Sequence, residues 1–325
     1  MSETLLAVRD LGKRFRVRRP GSSSGGGTWI RAVDRVSFDL RRGETLALVG
    51  ESGCGKTTLA RTAMLLLAPT TGRVHFDGEE MTGRSRRRLK PMRRRVQMVF
   101  QDPYGSLNPR LPVASILGEP LAIHRLGDRR QRRQKVAELV ASVGLSEDDL
   151  ARYPHQFSGG QRQRIAIARA LAPEPNLIVA DEPVSALDVS VQSQVLNLLK
   201  DLQDARGLTY LFISHDLGVV RQFADRVAVM YMGSIVETAP VETLFAAPRH
   251  PYTRALIAAV PKIGRGKRQI GSSPMGEVPS LFDPPSGCPY HPRCPLATDV
   301  CRQTAPELES IADSHAVACH EKDAA

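Results

Sequence analysis

The chain has 325 residues, of which 42% are hydrophobic and 24% charged, a composition that suits one large globular domain with an appendage, or two domains. No stretch approaches the ~18 consecutive apolar residues of a membrane-spanning helix, and residues 1–6 lack a signal-peptide pattern, so we expect a cytosolic protein. The formal net charge of +11 is concentrated in basic runs at 84–95 and 125–135. Either run is compatible with nucleic acid or anionic lipid, but a solvated helix face is the simpler interpretation.

Apolar runs and helical patterns alternate along the first 245 residues. The apolar runs predict strands at 5–8, 33–40, 44–49, 96–100, 177–180 and 210–213, and the helical patterns cover 57–67, 162–171 and 191–204. This alternation indicates a three-layer α/β domain, with a helical subdomain inserted at about 102–160. After residue 250 the aliphatic periodicity fades. We therefore predict two domains, 1–248 and 249–325, of which the second is small and loop-rich.

The segment 50–57 matches the phosphate-loop pattern G-x-x-x-x-G-K-[ST], between a predicted strand and a predicted helix. In such a loop successive backbone N–H groups point at phosphate oxygens, and the following helix adds its positive end. Lys56 would neutralise the β- and γ-phosphates of a nucleotide, and the Thr57 hydroxyl would bind Mg²⁺. The predicted ATP contacts of this segment are Gly50, Ser52, Gly53, Cys54, Gly55, Lys56, Thr57 and Thr58.

A second acidic site follows the apolar run 177–180, which ends in Asp181 and Glu182. Ligands gather at the carboxyl edge of a parallel sheet, where a phosphate loop also lies. We therefore expect Asp181 to hold Mg²⁺ and Glu182 to polarise an attacking water. An exposed acidic turn would be the ordinary explanation of the pair if the phosphate loop were not present.

The segment Phe157-Ser158-Gly159-Gly160-Gln161 resembles the LSGGQ signature of the ABC ATPase family, with Phe in place of Leu. The resemblance implies an ABC ATPase core with an antiparallel β subdomain and a helical subdomain, and a head-to-tail dimer in which Ser158, Gly159, Gly160 and Gln161 contact ATP held by the opposite subunit. It also implies a catalytic and Mg²⁺-sensing role for Gln101, a γ-phosphate contact for His215, and adenine stacking on Phe15. The loop that communicates across the dimer would be Ser185, Ala186, Leu187 and Asp188.

Three parts of the chain are similar to ATPases from dipeptide and oligopeptide importers, most of all to the second ATPase subunit of a dipeptide permease. They are segments 101–110 and 249–253 and the tail around Cys288 to Cys319. This resemblance implies a heterodimer with a related ATPase on the cytoplasmic face of the plasma or inner membrane. The further partners that it implies are two permease subunits and an extracytoplasmic peptide-binding protein. Nucleic acid is not expected as a partner.

Four of the five cysteines, Cys288, Cys294, Cys301 and Cys319, fall in the last forty residues. Disulfides do not persist in the cytosol, and the paired C-x₂₋₄-C spacing of structural zinc is absent. Four such thiolates suit a [4Fe–4S] cluster, and the importer resemblance agrees. Zinc, four unligated thiols, and ligation by His291, His315 or His320 remain alternatives.

These observations predict an ATPase that energises peptide import. The alternatives are a soluble ABC ATPase that acts on nucleic acid or the ribosome, and an importer of nickel or glutathione. A tail that senses metal or binds DNA is a third possibility, against which the missing zinc spacing counts. Because the tail is assigned to another domain, we expect substitution of Cys294 to leave nucleotide binding at Lys56 largely intact.

Overall fold

A computed structural model of the chain describes residues 3–17, 27–260, 277 and 279–322. The predicted C-terminal domain, 249–325, therefore lies partly outside the described residues. Within the described ranges, no helix has both the length and the apolar character needed to cross a lipid bilayer. The described residues divide into two compact units.

The strands, in chain order, are β1 (Thr4–Val17), β2 (Thr28–Arg41), β3 (Thr45–Val49), β4 (Thr71–Phe76), β5 (Glu79–Glu80), β6 (Val96–Val99), β7 (Leu177–Asp181), β8 (Thr209–Ser214), β9 (Arg226–Tyr231), β10 (Ser234–Pro240), β11 (Glu309–Ala312) and β12 (His315–Val317).

The α-helices are α1 (Lys56–Ala63), α2 (Lys90–Arg95), α3 (Pro103–Ser106), α4 (Val113–Ile123), α5 (Arg129–Ser142), α6 (Gly159–Leu171), α7 (Val189–Arg206), α8 (Leu217–Phe223), α9 (Val241–Ala246), α10 (Pro251–Ala258) and α11 (Asp299–Gln303). Short 3₁₀ helices cover Glu147–Ala151, Pro154–Gln156 and His291–Arg293.

The first unit comprises Met1–Leu40, Thr45–Thr82 and Ser214–Ala325. It contains a sheet of order β2-β1-β4-β5, in which β4 pairs antiparallel with β1 and with β5. A second run of neighbouring strands has the order β11-β12-β10-β9-β3, with β3 and β9 parallel and the other pairs antiparallel. The tail thus adds two strands to the sheet that contains β3.

The second unit comprises Arg41–Glu44 and Gly83–Ile213. Its strands β6, β7 and β8 are neighbours and run parallel, with Ile178 of β7 aligned on Gln97 and on Tyr210. Every residue of β7 and of β8 is buried, as expected for strands of a parallel sheet with covered faces. Helices α4, α5 and α6 pack against one another in this unit, as the predicted helical subdomain requires.

The core of the first unit includes both the strand that leads into the phosphate loop and the tail. Ala47 and Val49 of β3 belong to the same cluster of buried apolar side chains as Tyr290 and the thiols Cys288 and Cys301. Burial of apolar area contributes roughly 25 cal/mol per Å², so this shared core helps to hold the tail in place.

The predicted α/β class with an antiparallel sheet and a helical subdomain is confirmed. The differences lie in the lengths of the predicted elements and in six strands that were not predicted, β4, β5 and β9 to β12. Strand β1 extends from the predicted 5–8 to Thr4–Val17, and Arg9 and Gly12, which lie beyond the apolar run, still pair with β4. Helix α1 ends at Ala63 rather than 67, and Leu65 adopts a left-handed conformation with φ of 55°. The division at 248 stays a prediction.

Candidate functional site

The phosphate loop leaves the buried strand β3 and enters α1, in the context that the sequence predicted. Gly50 has φ of +152°, and a β-carbon there would lie 2.2 Å from the carbonyl oxygen of Met230. Gly55, the N-cap of α1, has φ of +106°, and a β-carbon there would lie 2.2 Å from the carbonyl oxygen of Ala32. Any side chain at these two positions would displace backbone, so the loop shape depends on glycine.

Lys56 is buried, and its ammonium group lies inside the curve of the loop. Its Nζ donates hydrogen bonds to the carbonyl oxygens of Gly50, at 2.7 Å, and Glu51, at 2.9 Å. The Cys54 thiol is also buried and lies 3.8 Å from Lys56 Nζ, and burial raises the pKa of this thiol. The contact of Cys54 with ATP stays a prediction. The other predicted contacts are exposed at Ser52 and Gly53 and half-buried at Thr57 and Thr58.

The first unit also contains the predicted adenine and γ-phosphate contacts. Phe15 is half-buried on β1, and Lys13 Nζ lies 5.1 Å from the centre of its ring. His215 is exposed between β8 and α8, next to Asp216, whose carboxylate caps α8 by accepting from the N–H groups of Gly218 and Val219. The roles of Phe15 and His215 stay predictions.

In the second unit, Asp181 is buried at the end of β7 and Glu182 follows with φ of +48°. A left-handed conformation costs a residue other than glycine about 1–3 kcal/mol and is typical of functional positions. The Glu182 N–H donates to the carbonyl oxygen of Ile213 at 3.0 Å, which holds this turn. The Gln101 amide donates to Glu182 Oε2 at 2.9 Å, so two residues predicted to serve catalysis meet here.

The signature segment begins α6 with a capping box. The Ser158 hydroxyl accepts from the Gln161 N–H at 3.3 Å, and the Gln161 side-chain oxygen accepts from the Ser158 N–H at 3.0 Å. Gly160 lies so close to α7 that a β-carbon there would be 2.4 Å from a methyl carbon of Val191. Ser158, Gly159 and Gln161 are not buried, and their contact with ATP held by an opposite subunit stays a prediction.

The loop predicted to communicate across the dimer lies next to the signature helix. The Ser185 hydroxyl donates to the carbonyl oxygen of Glu182 at 3.1 Å, and a β-carbon at Gly159 would lie 3.4 Å from a Leu187 methyl. Ser185, Ala186 and Asp188 are exposed, and Asp188 precedes α7 as its N-cap. This loop therefore connects the acidic turn, the signature helix and α7 within one unit.

The four tail cysteines lie close enough to influence one another. Burial raises the pKa of Cys288 to about 11, and the neighbouring thiols of Cys301, Cys319 and Cys294 add to the rise. Burial likewise raises the pKa of Cys294 and of Cys319, with Cys301 contributing to both. The Cys288 N–H donates to the carbonyl oxygen of Cys301 at 2.8 Å. The fold thus gathers residues that the sequence spreads over 32 positions.

Among the described residues, no group of three or more His, Cys, Asp or Glu side chains is close enough to hold a single metal ion. The predicted alternative ligands each use a ring nitrogen elsewhere: His291 on the carbonyl oxygen of Cys288, His315 on the Glu237 carboxylate and His320 on the carbonyl oxygen of Thr304. The thiols therefore lie near one another without forming a compact mononuclear site.

Sequence reasoning missed two residues that hold the loop and the tail. Arg293 pairs with Glu51 of the phosphate loop across 242 positions. The fully buried Glu237 carboxylate accepts from the N–H groups of Arg249 and His250 and bonds the His315 ring. Short-range periodicity cannot reveal either contact. A buried-strand pattern interrupted by one acidic residue, as at Glu237, was the only local signal.

The comparisons with known proteins agree with this geometry. A profile of the ABC transporter family matches residues 33–185, and one for the C-terminal region of oligopeptide/dipeptide transporters matches 236–301. The chain is 53% identical to a probable peptide ABC transporter ATP-binding protein, y4tS, of Sinorhizobium fredii, over 98% of this chain and 90% of that protein. It is 51% identical to the oligopeptide transport ATP-binding protein AppF of Bacillus subtilis, over 98% and 97%. It is 50% identical to the di/tripeptide transport ATP-binding protein DppF of Pseudomonas aeruginosa, over 98% of each chain.

Two solved structures have the same fold. The structure of cbiO1 of Clostridium perfringens, part of the ABC transporter complex cbiONQ, has a TM-score of 0.66 at 28% identity and covers 76% of this chain and 92% of its own. The dimeric MJ0796 cassette bound to ADP and phosphate has a TM-score of 0.63 at 29% identity and covers 73% and 99%. The chain belongs to the ATP-binding proteins of ABC transporters and carries the C-terminal region of the oligopeptide/dipeptide transporters.

Proposed function

We propose that this chain binds and hydrolyses ATP to drive the import of dipeptides and oligopeptides through a membrane ABC transporter. The observation that carries the proposal is the presence, in one chain, of the ABC cassette and of the oligopeptide/dipeptide C-terminal region. Relatives named as peptide-transport proteins match nearly the whole chain at about 50% sequence identity, which supports peptides as the cargo of this chain. Neither nucleic acid nor the ribosome is favoured as a partner by any of these observations.

In the proposed reaction Lys56 would bind the β- and γ-phosphates, and Thr57 and Asp181 are the residues that would hold Mg²⁺. Glu182 orients and polarises the attacking water. Two features support Glu182 in this role: its left-handed backbone and the hydrogen bond from Gln101, which fixes one carboxylate oxygen. Ser158 and the N–H groups at the start of α6 are proposed to bind the γ-phosphate of ATP on the opposite subunit.

We further propose a heterodimer with a related ATPase subunit, bound to two permease subunits at the cytoplasmic face of the membrane and served by an extracytoplasmic peptide-binding protein. The open start of α6 supports a site completed by another subunit. Segment 104–110 is proposed to form part of the groove that binds a permease helix. Tyr104 in this segment is exposed, and the Arg162 guanidinium lies 3.8 Å from the centre of its ring.

We infer that Cys288, Cys294, Cys301 and Cys319 hold a [4Fe–4S] cluster. Four thiolates on one tetrahedral zinc lie about 3.8 Å apart, given Zn–S bonds of about 2.3 Å, whereas a four-iron cluster separates its thiolates further. The proposal is supported by the proximity of the thiols, since Cys301, Cys319 and Cys294 each contribute to the raised pKa of Cys288. Bound there, the cluster would serve as a structural staple in a tail, residues 249–325, that is poor in aliphatic residues.

The cargo class is tested on the assembled complex. ATP hydrolysis is measured with the binding protein added empty, loaded with a dipeptide, or mixed with nickel or with glutathione. We expect the peptide-loaded protein to stimulate hydrolysis several-fold over the empty one. Stimulation by nickel or glutathione alone, or by duplex DNA without any binding protein, would overturn the proposal.

A further inference from the structure

Glu51, the second residue of the phosphate loop, is held at all three of its polar groups. Its N–H donates to the Tyr252 hydroxyl at 2.9 Å, and its carbonyl oxygen accepts from Lys56 Nζ at 2.9 Å. Its two carboxylate oxygens accept from the two terminal nitrogens of Arg293, at 2.7 and 2.9 Å. Arg293 therefore connects the tail to the residue whose carbonyl positions the phosphate-binding lysine.

The Arg293 side chain is built into the first unit rather than resting on its surface. It is 4% exposed, against 24% for the Glu51 side chain, and its Nη1 also lies 3.4 Å from the Tyr231 hydroxyl. The 3₁₀ turn His291–Arg293 carries it, next to Tyr290, which packs edge-on against Tyr231 at 5.2 Å. A buried guanidinium is costly without a partner, and a two-bond pair with a carboxylate is the geometry that offsets this cost.

The Arg293–Glu51 pair also offsets a negative charge within the phosphate loop. A phosphate loop concentrates positive potential for an anionic ligand, and a carboxylate at its second position opposes that potential. Arg293 places a guanidinium on both oxygens of this carboxylate and so neutralises it. No residue near Glu51 in sequence offers this: the cation comes from 242 positions away.

We propose that Arg293 is a positioning residue for nucleotide binding: it neutralises Glu51 and fixes the loop backbone from which Lys56 reaches the phosphates. The inference rests on the proposed ATP site. It makes the tail part of the nucleotide-binding machinery, since Arg293 directly precedes Cys294. The tail and the loop are then not independent, contrary to what the sequence alone suggested.

The test measures the Kd of a slowly hydrolysed ATP analogue with Mg²⁺, and the KM and kcat for ATP, on the assembled complex. The variants are Arg293→Met, Glu51→Gln and the two combined. Arg302→Met is the matched control, because Arg302 lies in the same tail and faces the exposed Asp299 at 3.8 Å rather than the loop. Arg293→Met should weaken binding about 10-fold and raise KM similarly, with kcat at saturating ATP nearly unchanged.

The combined variant separates neutralisation from packing. The combined variant has no carboxylate charge left without its cation, so its Kd should lie within about threefold of the wild-type Kd. The loss of affinity caused by Arg293→Met alone should shrink as the salt concentration rises. Glu51→Gln alone should bind the ATP analogue at least as tightly as the wild type does. This variant still tests the inference if Arg293→Met does not fold. Wild-type affinity in Arg293→Met, or equal weakness in the single and combined variants, would overturn the inference. A wild-type complex that binds no nucleotide would instead overturn the proposed function.

Discussion

The side-chain amide of Gln101 donates a hydrogen bond to the carboxylate of Glu182 at 2.9 Å, and Glu182 itself adopts a left-handed backbone conformation with φ of 48°. Gln101 follows β6 and Glu182 follows β7, two adjacent parallel strands. The bond joins the predicted Mg²⁺ and γ-phosphate sensor to the predicted water-polarising base.

Replacing Glu182 with Gln should separate binding from hydrolysis. The amide keeps the shape of the carboxylate but cannot take a proton, so turnover should fall at least ~100-fold while ATP still binds. Steady-state hydrolysis and nucleotide affinity are both measured on the assembled complex. Glu147→Gln, an exposed position of the same unit, serves as the control. Near-normal hydrolysis in Glu182→Gln would remove Glu182 as the base.

Ser158→Arg should damage the ATP site whose phosphate loop belongs to the partner subunit. The longer, positively charged arginine side chain would break the Ser158–Gln161 capping box and fill the space proposed for a γ-phosphate. In the heterodimer, hydrolysis should therefore be lost at the partner's site while nucleotide still binds at Lys56 of this chain. The two sites are distinguished by photo-crosslinking of labelled ATP. Unchanged hydrolysis at the partner's site would argue against a shared site.

His250 should make the free energy of unfolding depend on pH. Burial, followed by the charge of Arg254, lowers the pKa of His250 to about 3, whereas its ordinary value is about 6.5. Between these values the unfolded chain binds a proton that the folded chain does not, so the free energy of unfolding falls as pH falls from about 6.5 towards about 3. His250→Asn retains an acceptor for the Tyr252 N–H and cannot titrate, so its stability should vary less over this range. An identical pH slope of the denaturant midpoint in both proteins would contradict this account.

The tail cofactor is tested by metal analysis. Anaerobically purified protein should be brown and contain about four irons per chain. Cys294→Ser should lower the iron content, whereas His320→Gln should not, because the His320 ring bonds the carbonyl oxygen of Thr304. One equivalent of zinc in colourless protein would decide for zinc, and protein without any metal would exclude both.

The residues proposed to bind phosphate could be located in the sequence because each motif is local. The strand-loop-helix context of Lys56 and the capping box of Ser158 both involve neighbours within a few positions. The Arg293–Glu51 pair could not be predicted, since no periodicity relates residues 242 positions apart. The two tail strands were missed for another reason: β11 is mostly exposed and β12 has three residues, so neither has an apolar run.

The left-handed turn at Glu182 was equally invisible to sequence patterns. Its conformation is set by the hydrogen bond from its N–H to Ile213 and by the bond that Ser185 returns to its carbonyl oxygen. Both partners lie outside the apolar strand pattern that located the residue. The apolar strand pattern therefore located the acidic pair, and only the fold shows its backbone conformation.

The most direct test of the central claim is ATP-driven uptake of a labelled dipeptide into vesicles that contain this chain, the partner ATPase and the two permeases, with the binding protein added outside. ATP is enclosed inside the vesicles, and a matched complex carries Lys56→Ala in this chain. We predict uptake that requires ATP and the binding protein and that is strongly reduced by Lys56→Ala. Peptide uptake that proceeds equally with Lys56→Ala, or ATP hydrolysis without any uptake of peptide, would contradict the account.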